Sequence, residues 1–400
     1  MAENKAKKKE PESGQRIRKS IWSVAIAILA LVIGCYVLLK TGLLDFQSVD
    51  EQLAAIEAAR AIPDAENAAI IYYQLLEDYD ESLLSTDFMD EDLEYLTLRE
   101  PWLGKDYPEL AEWLEDRQDI IFTLILASQK EKCRFPMITD ERQMTGQMEH
   151  LSAMRRWAFL LVRAANNGIA EGQIDTGIQK CNCLVQMGKH LCQQLSLINY
   201  LVGIAIEALA LRNMKTFILE GDVSEKHLKT LEAAIPQTKD NWADVSSKII
   251  EFETLYERKN LGLFYRLEFA WQGMGTEDTV ERTQEHYLQQ LANRRGSRIL
   301  IALRRYRNTS GRWPESLDDV KSLAPAEIFV DPINGSSFVY KLTEENFTLY
   351  SKDKNNIDEG GERSSDSGAD DWLIWPTSSR KSKKENTDTA QSNTQKDGVK

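Results

Sequence analysis

The sequence predicts an α+β protein, mainly α, with a single N-terminal transmembrane helix and a small antiparallel β-sheet module at the C-terminus. Three patterns predict this: an uncharged apolar run near the start, apolar residues recurring every three or four positions, and alternating apolar runs after residue 336. The expected segments are a basic segment 1–20, a transmembrane helix 21–39, a helical domain 45–296, a β-containing module 297–376 and a disordered tail 377–400.

The run IWSVAIAILALVIGCYVLL, Ile21 to Leu39, is uncharged and long enough to span the hydrocarbon core. A cleaved signal peptide is the alternative, but the following residues Lys40 to Leu44 contain no small-residue cleavage pattern. The N-terminal flank is rich in Lys and Arg, which keeps that side in the cytoplasm. We therefore expect a single-pass inner-membrane protein whose later domains are periplasmic or otherwise extracytoplasmic.

The charge of the chain limits the classes of partner that it can bind. The net charge is −14 although the first segment is basic, so the main body is strongly acidic. An acidic surface repels phosphate backbones, and we expect no nucleic-acid binding.

From about Phe46 to Asn308, amphipathic segments alternate with Pro and Gly punctuation, which predicts about eight to ten helices. A helical-repeat array is the alternative, because NNGIAEGQIDTGIQ resembles a short turn between paired helices. No Trp, Leu, Gly, Tyr pattern recurs at a spacing of about 34 residues, which favours an irregular bundle.

The stretch Leu195 to Leu211 is apolar enough to suggest a second membrane span. It contains Asn199 and Glu207 and is slightly short, so we expect a buried helix instead. Glu207 is the best candidate for a perturbed acid, but a buried ion pair with Arg212 or another base explains it better.

Neither Cys nor His residues form a recognisable site. On one helix, Cys181 and Cys192 fall on the face opposite Cys183 and His190, so the four cannot surround a zinc ion. The four histidines lie on separate predicted helices, outside any catalytic motif. We expect a protein that is not an enzyme, and no small-molecule substrate is indicated.

The C-terminal module contains two strand patterns, Ser337 to Leu342 and Phe347 to Lys352, and a third candidate strand, Trp372 to Trp375. Between them lies an acidic, Gly-containing loop. Many hard oxygens with flexible backbone are typical of a calcium site. A solvated linker is the alternative, but the apolar run that follows must return to the same core, which brings the carboxylates together.

The segments ALRRYRNTSGRWPESLDDV, DPINGSSFVYKL, FTLYSKDKNNIDEGG and DDW resemble the C-terminal domain of the major pseudopilin of the type II secretion system. The resemblance implies a calcium-stabilised sheet packed on the preceding helix. The ligands it implies are Asn355, Asp358, Asp370, Asp371 and the backbone carbonyl of Lys352. Asn356 and Ile357 depart from the family pattern. The membrane helix also lacks the family's Gly-Phe-Thr-Leu start and its Glu, so we expect no prepilin processing.

The layout of the whole chain resembles that of uncharacterised membrane-anchored bacterial envelope proteins. The functional hypothesis is a non-catalytic envelope protein, with a link to secretion, whose helical domain contacts protein partners and whose module holds structural Ca²⁺. A helical-repeat scaffold or adaptor capped by the module is the alternative, and an envelope hydrolase is more remote.

Overall fold

The structure is a computed structural model. It describes residues 28–34, 48–79, 81–139, 144–236, 238–262, 265–266, 268, 271–272, 275–344, 346–364 and 368–377. The predicted basic segment and nearly all of the predicted tail lie outside these ranges. Of the predicted transmembrane helix, only 28–34 are described. They are helical, with Ile28 to Ile33 largely exposed, and the predicted span itself therefore stays a prediction.

The described chain is mainly helical, which confirms that part of the predicted fold class. The α-helices are α1 Val49–Ala59, α2 Ala68–Asp78, α3 Glu91–Thr97, α4 Pro108–Glu115, α5 Gln118–Ser128, α6 Met144–Ala170, α7 Ile174–Cys192, α8 Leu197–Glu220, α9 Glu225–Ala234, α10 Trp242–Asn260 and α11 Thr276–Ser310. Their lengths run from 7 to 35 residues, unlike the equal helix pairs of a regular repeat array.

Local sequence signals explain where several helices begin. Ser48 and Glu51 form a capping box at the start of α1, and the Asn67 side chain accepts a hydrogen bond from the Ala69 amide at α2. Gly311, in the left-handed conformation at φ 78°, ends α11. These caps satisfy backbone groups that helix ends would otherwise leave unpaired.

Helix α8 lies inside the helical body, in contact with α6, α7 and α11. It is the one helix in the described part of the chain that is long and apolar enough to cross a membrane, and 56% of its most apolar window is buried by protein. A core helix passes the same test of length and composition. This packing agrees with the buried helix expected for the stretch Leu195 to Leu211.

The C-terminal sheet has the strands β1 Val339–Leu342, β2 Phe347–Ser351 and β5 Trp372–Trp375, antiparallel in the order β1-β2-β5. Between β2 and β5, a second hairpin pairs β3 Arg363–Ser364 with β4 Ala369–Asp370. The predicted antiparallel sheet is thereby confirmed. Its third strand returns to the centre of the molecule, as the apolar run Trp372 to Trp375 requires.

One hydrophobic core joins the sheet to the helices. Phe347, Leu349, Ile374 and Trp375 belong to the same buried cluster as the apolar residues of α2 and α5 to α9. The boundary predicted between 296 and 297 falls inside the continuous helix α11. At that point a Cβ on Gly296 would lie 2.5 Å from Cγ2 of Ile374, so the absence of a side chain lets β5 approach the helix.

Candidate metal centre

The acidic loop leaves β2 at Ser351, forms the β3-β4 hairpin and enters β5 through Asp371. Gly361, at φ 85°, lies against the side chains of Leu373 and Tyr350 in the sheet. Its amide donates a hydrogen bond of 2.7 Å to Oδ2 of Asp371, and the Glu359 amide donates a second one of 3.0 Å. These two bonds hold the loop against the start of β5.

Three carboxylates converge at this point of contact. One carboxylate oxygen each from Glu359, Asp370 and Asp371 lies within 4.8 Å of the other two, and Asp371 is fully buried. Oε2 of Glu359, Oδ1 of Asp370 and Oδ1 of Asp371 are buried and have no hydrogen-bond partner among the described residues. A buried, unpartnered carboxylate oxygen is costly, and three of them together are costlier still.

Three basic residues near the loop are paired with other acids. Lys341 pairs with Asp358 at 2.9 Å, Lys354 with Glu285 at 2.6 Å and Arg363 with Asp353 at 3.4 Å. No ion pair within the described part of the chain neutralises Glu359, Asp370 or Asp371. The cluster therefore concentrates negative charge that these neighbouring cations leave uncompensated.

Burial raises the pKa of the Asp371 carboxyl to about 6; the Gly361 amide opposes this, whereas Glu359 adds to it. Above about pH 6 the Asp371 carboxyl loses its proton, which places a negative charge inside the cluster. Hard carboxylate oxygens, with carbonyls and water completing the shell, are the donors that Ca²⁺ takes, and zinc or copper would want His or Cys. The residues present thus fit a hard divalent cation.

The structure brings together some of the sequence-predicted ligands and not others. Asp370 and Asp371 lie in the cluster. Their neighbour there is Glu359, which was not among the ligands predicted from the sequence. Asp358 points elsewhere: its Oδ1 accepts hydrogen bonds from Tyr350 Oη, from Lys341 Nζ at 2.9 Å and from the Gly360 amide at 3.0 Å. The hydrogen bonds from Tyr350 and Lys341 lower the pKa of Asp358 to about 2.

Asn355 supports the cluster from outside. Its Nδ2 donates to Oε1 of Glu359 at 2.7 Å, and its amide donates to Oδ2 of Asp370 at 3.4 Å. Its side-chain oxygen Oδ1 accepts a hydrogen bond from the Ile357 backbone amide at 2.6 Å. Asn355 therefore orients two carboxylates in this geometry, and the Lys352 carbonyl stays a predicted ligand.

Elsewhere, the titratable residues singled out from the sequence have structural partners. Glu207 is fully buried, and both of its oxygens accept hydrogen bonds from Arg294, at 2.6 and 2.7 Å. The expected buried ion pair thus has Arg294 as its base, in place of Arg212. Cys183 donates to the Leu124 carbonyl and Cys192 to that of Tyr200, so these thiols are directed to different neighbours.

Compared with protein-family models, with curated proteins and with solved structures, the chain gave no match.

Proposed function

We propose that this chain is a non-catalytic, single-pass envelope protein whose C-terminal module holds a structural Ca²⁺ at Glu359, Asp370 and Asp371. The observation that carries the proposal is the convergence of three buried carboxylate oxygens that have no partner among the described residues. A bound cation would replace their mutual repulsion with attraction and would add its binding energy to folding. Asp371 would transmit that stabilisation to β5.

The test is thermal unfolding of the full chain in detergent micelles at pH 7.5, with Ca²⁺, with Mg²⁺ and with excess chelator. We expect Ca²⁺ at about 100 times its Kd to add about 2.7 kcal/mol, which raises the midpoint by several degrees. Mg²⁺ should have less effect because it demands a tighter octahedral shell. An unchanged midpoint after chelation and Ca²⁺ addition would refute the metal site.

Three isosteric substitutions resolve the ligand set. Glu359→Gln and Asp371→Asn should abolish the calcium response, whereas Asp358→Asn, which alters a carboxylate bound to Lys341 and Tyr350, should retain it. The matched control outside the module's loop is Asp318→Asn, whose carboxylate is exposed and paired with Lys321. If Asp358→Asn abolished the response and Glu359→Gln did not, the ligands implied by the pseudopilin resemblance would be the correct ones.

The helical body is the part we propose to contact protein partners. On α5, Phe122 is 62% exposed and Leu126, one turn later, is 39% exposed. Two large apolar side chains on one outer face are typical of an interaction surface. A photo-crosslinking residue placed at Phe122 in living cells should give discrete adducts that the same residue at Asp318 does not give, and identical patterns would count against this surface.

A further inference from the structure

A cavity of about 510 Å³ lies between the helical body and the C-terminal module. Its helical wall includes Arg212 and Lys215 of α8, and its other wall is formed by residues 372–374 of β5. Volumes of this order suit a small metabolite. The cavity is separate from the proposed surface on α5 and borders the acidic loop at Gly361, Arg363 and Asp371.

The cavity is lined by four cationic side chains, Arg99, Arg212, Lys215 and Arg363, against one acid, Asp371. Arg363 already pairs with Asp353. The carboxylate of Asp371 accepts hydrogen bonds from the Glu359 and Gly361 amides, on its loop side. Two of these cations, Arg212 and Lys215, have no ion pair with an acid that lines the cavity.

Lys215 and Arg212 show this imbalance most directly. Lys215 is only 5% exposed, and its ammonium donates 2.8 Å to the neutral side-chain oxygen of Asn293. Arg212 forms no side-chain hydrogen bond or ion pair with any described residue. Burial and then the charge of Arg212 together lower the pKa of Lys215 to about 7. Burial and then the charge of Arg99 lower the pKa of Arg212.

Two acids lie near these cations from another side. Glu100 and Glu220 line an adjoining cavity of about 370 Å³ that shares Arg99 and Arg212. Burial, followed by the charge of Glu100, raises the pKa of Glu220. Neither acid is paired with Arg212, so the neighbouring carboxylates leave its guanidinium available.

We propose that the cavity between α8 and β5 binds a small phosphate-bearing anion, with Arg212 and Lys215 as its principal contacts. A guanidinium presents parallel donors to phosphate oxygens, and a buried ammonium gains most from a counter-charge where water is excluded. The apolar side chains of Trp372 and Leu373 offer a surface for the uncharged part of the ligand. The cavity shares Asp371 with the proposed calcium site, but its cationic contacts are present without bound metal.

The test is calorimetric titration and thermal unfolding of the full chain in detergent, with chelator present throughout. The probes are inorganic phosphate and glycerol 3-phosphate, each compared with chloride at equal ionic strength. We expect saturable binding and a midpoint raised by both phosphates. A parallel arm with micelles containing phosphatidic acid carries the same headgroup on a lipid: a response to glycerol 3-phosphate but not to this lipid assigns a soluble ligand, and a much stronger response to the lipid assigns a headgroup.

Two variants make the outcome specific. Lys215→Met removes a buried charge while keeping the side chain's length, so it should raise the midpoint without ligand and weaken phosphate binding at least about tenfold. Arg212→Gln should weaken binding similarly. The control is Arg312→Gln, at an exposed arginine paired with Glu315. The proposal is overturned if phosphate acts no differently from chloride, or if Lys215→Met and Arg212→Gln bind phosphate no more weakly than Arg312→Gln does.

Discussion

At the residue scale, Glu207 shows how a polar side chain is accommodated in an apolar helix. Its carboxylate accepts three hydrogen bonds, two from Arg294 and one of 2.8 Å from Gln290. Burial lowers the pKa of Arg294, but the attraction of Glu207 outweighs it, so the pKa lies above its ordinary value. Both charges are satisfied, which makes the pair a structural feature of the contact between α8 and α11.

Removing one member of this pair should therefore be more harmful than removing both. We expect Glu207→Met to lower the free energy of unfolding by about 3–5 kcal/mol, because it leaves Arg294 without its counter-charge. The double variant Glu207→Met with Arg294→Met should lose less than Glu207→Met alone. Urea unfolding of the full chain measures the free energy of unfolding of the single and double variants. A double variant that loses the sum of the two single losses would contradict the expectation.

His190 gives a second prediction at this scale. It is fully buried, with Nδ1 2.9 Å from the Tyr72 hydroxyl and Nε2 2.9 Å from the Lys130 carbonyl. Burial lowers the pKa of His190 to about 4, so between about pH 4 and 6.5 the unfolded chain binds more protons than the folded one. Stability contributed by this histidine is thus present above pH 6.5 and is lost as the pH falls toward 4.

By this linkage the unchanged chain should lose about 2 kcal/mol more than His190→Gln between pH 7.5 and pH 5. Urea unfolding at both pH values measures the difference. His190→Gln is the baseline for the unchanged chain, because carboxylates elsewhere titrate alike in both proteins. Equal losses in the two would mean that His190 is not buried in its neutral form.

The carboxylates of the candidate metal centre were only partly predictable from the sequence. Asp370 and Asp371 were expected as ligands because they match the acidic pair before the last strand of the pseudopilin module, and both lie in the cluster. Glu359 was missed because Asp358 and Glu359 are adjacent acids, and their directions depend on contacts across the sheet. Lys341 and Tyr350 attract Asp358, and the fold of the loop leaves its neighbour facing Asp371. The spacing of residues along the sequence does not indicate which of the two adjacent carboxylates faces Asp371.

The strands and several helix ends agree with what local sequence rules predict. The alternation of Phe347 to Ser351 and the Gly311 turn are set by near neighbours in the chain. The segment 107–129 forms two helices, α4 and α5, although apolar residues recur at helical intervals throughout it. There the Arg117 side chain donates to the Trp113 carbonyl and also to the Leu83 carbonyl, a tertiary contact that periodicity does not reveal. Likewise, the identity of Arg294 as partner of Glu207 depends on how α8 crosses α11.

The contact between α11 and β5 carries a prediction of its own. A methyl group at position 296 would overlap Ile374, so Gly296→Ala should lower the free energy of unfolding by about 1–3 kcal/mol. Ile374→Ala, which alone leaves a cavity, should cost less in the Gly296→Ala background than in the unchanged chain, because it relieves the overlap. Urea unfolding of the two single variants and the double variant tests this. Strict additivity would show that the two residues do not press on each other.

At the scale of the whole molecule, the membrane topology remains a prediction from the run Ile21 to Leu39 and its basic flank. We expect protease added outside the inner membrane of spheroplasts to remove an epitope at residue 377 and to spare one placed at residue 2. In lysed spheroplasts, both epitopes should be lost. Protection of the C-terminal epitope in intact spheroplasts would place the helical body in the cytoplasm and overturn the proposed location.

The core that Ile374 and Trp375 share with α2 and α5 to α9 has a consequence for how the chain is made. Synthesis delivers the helices before β5, so the helical body emerges with part of its apolar interior open. It closes only when the final strand arrives. We therefore expect a chain truncated before Trp375 to expose apolar surface to chaperones and proteases, so that truncation acts as a folding defect as well as the loss of a terminus.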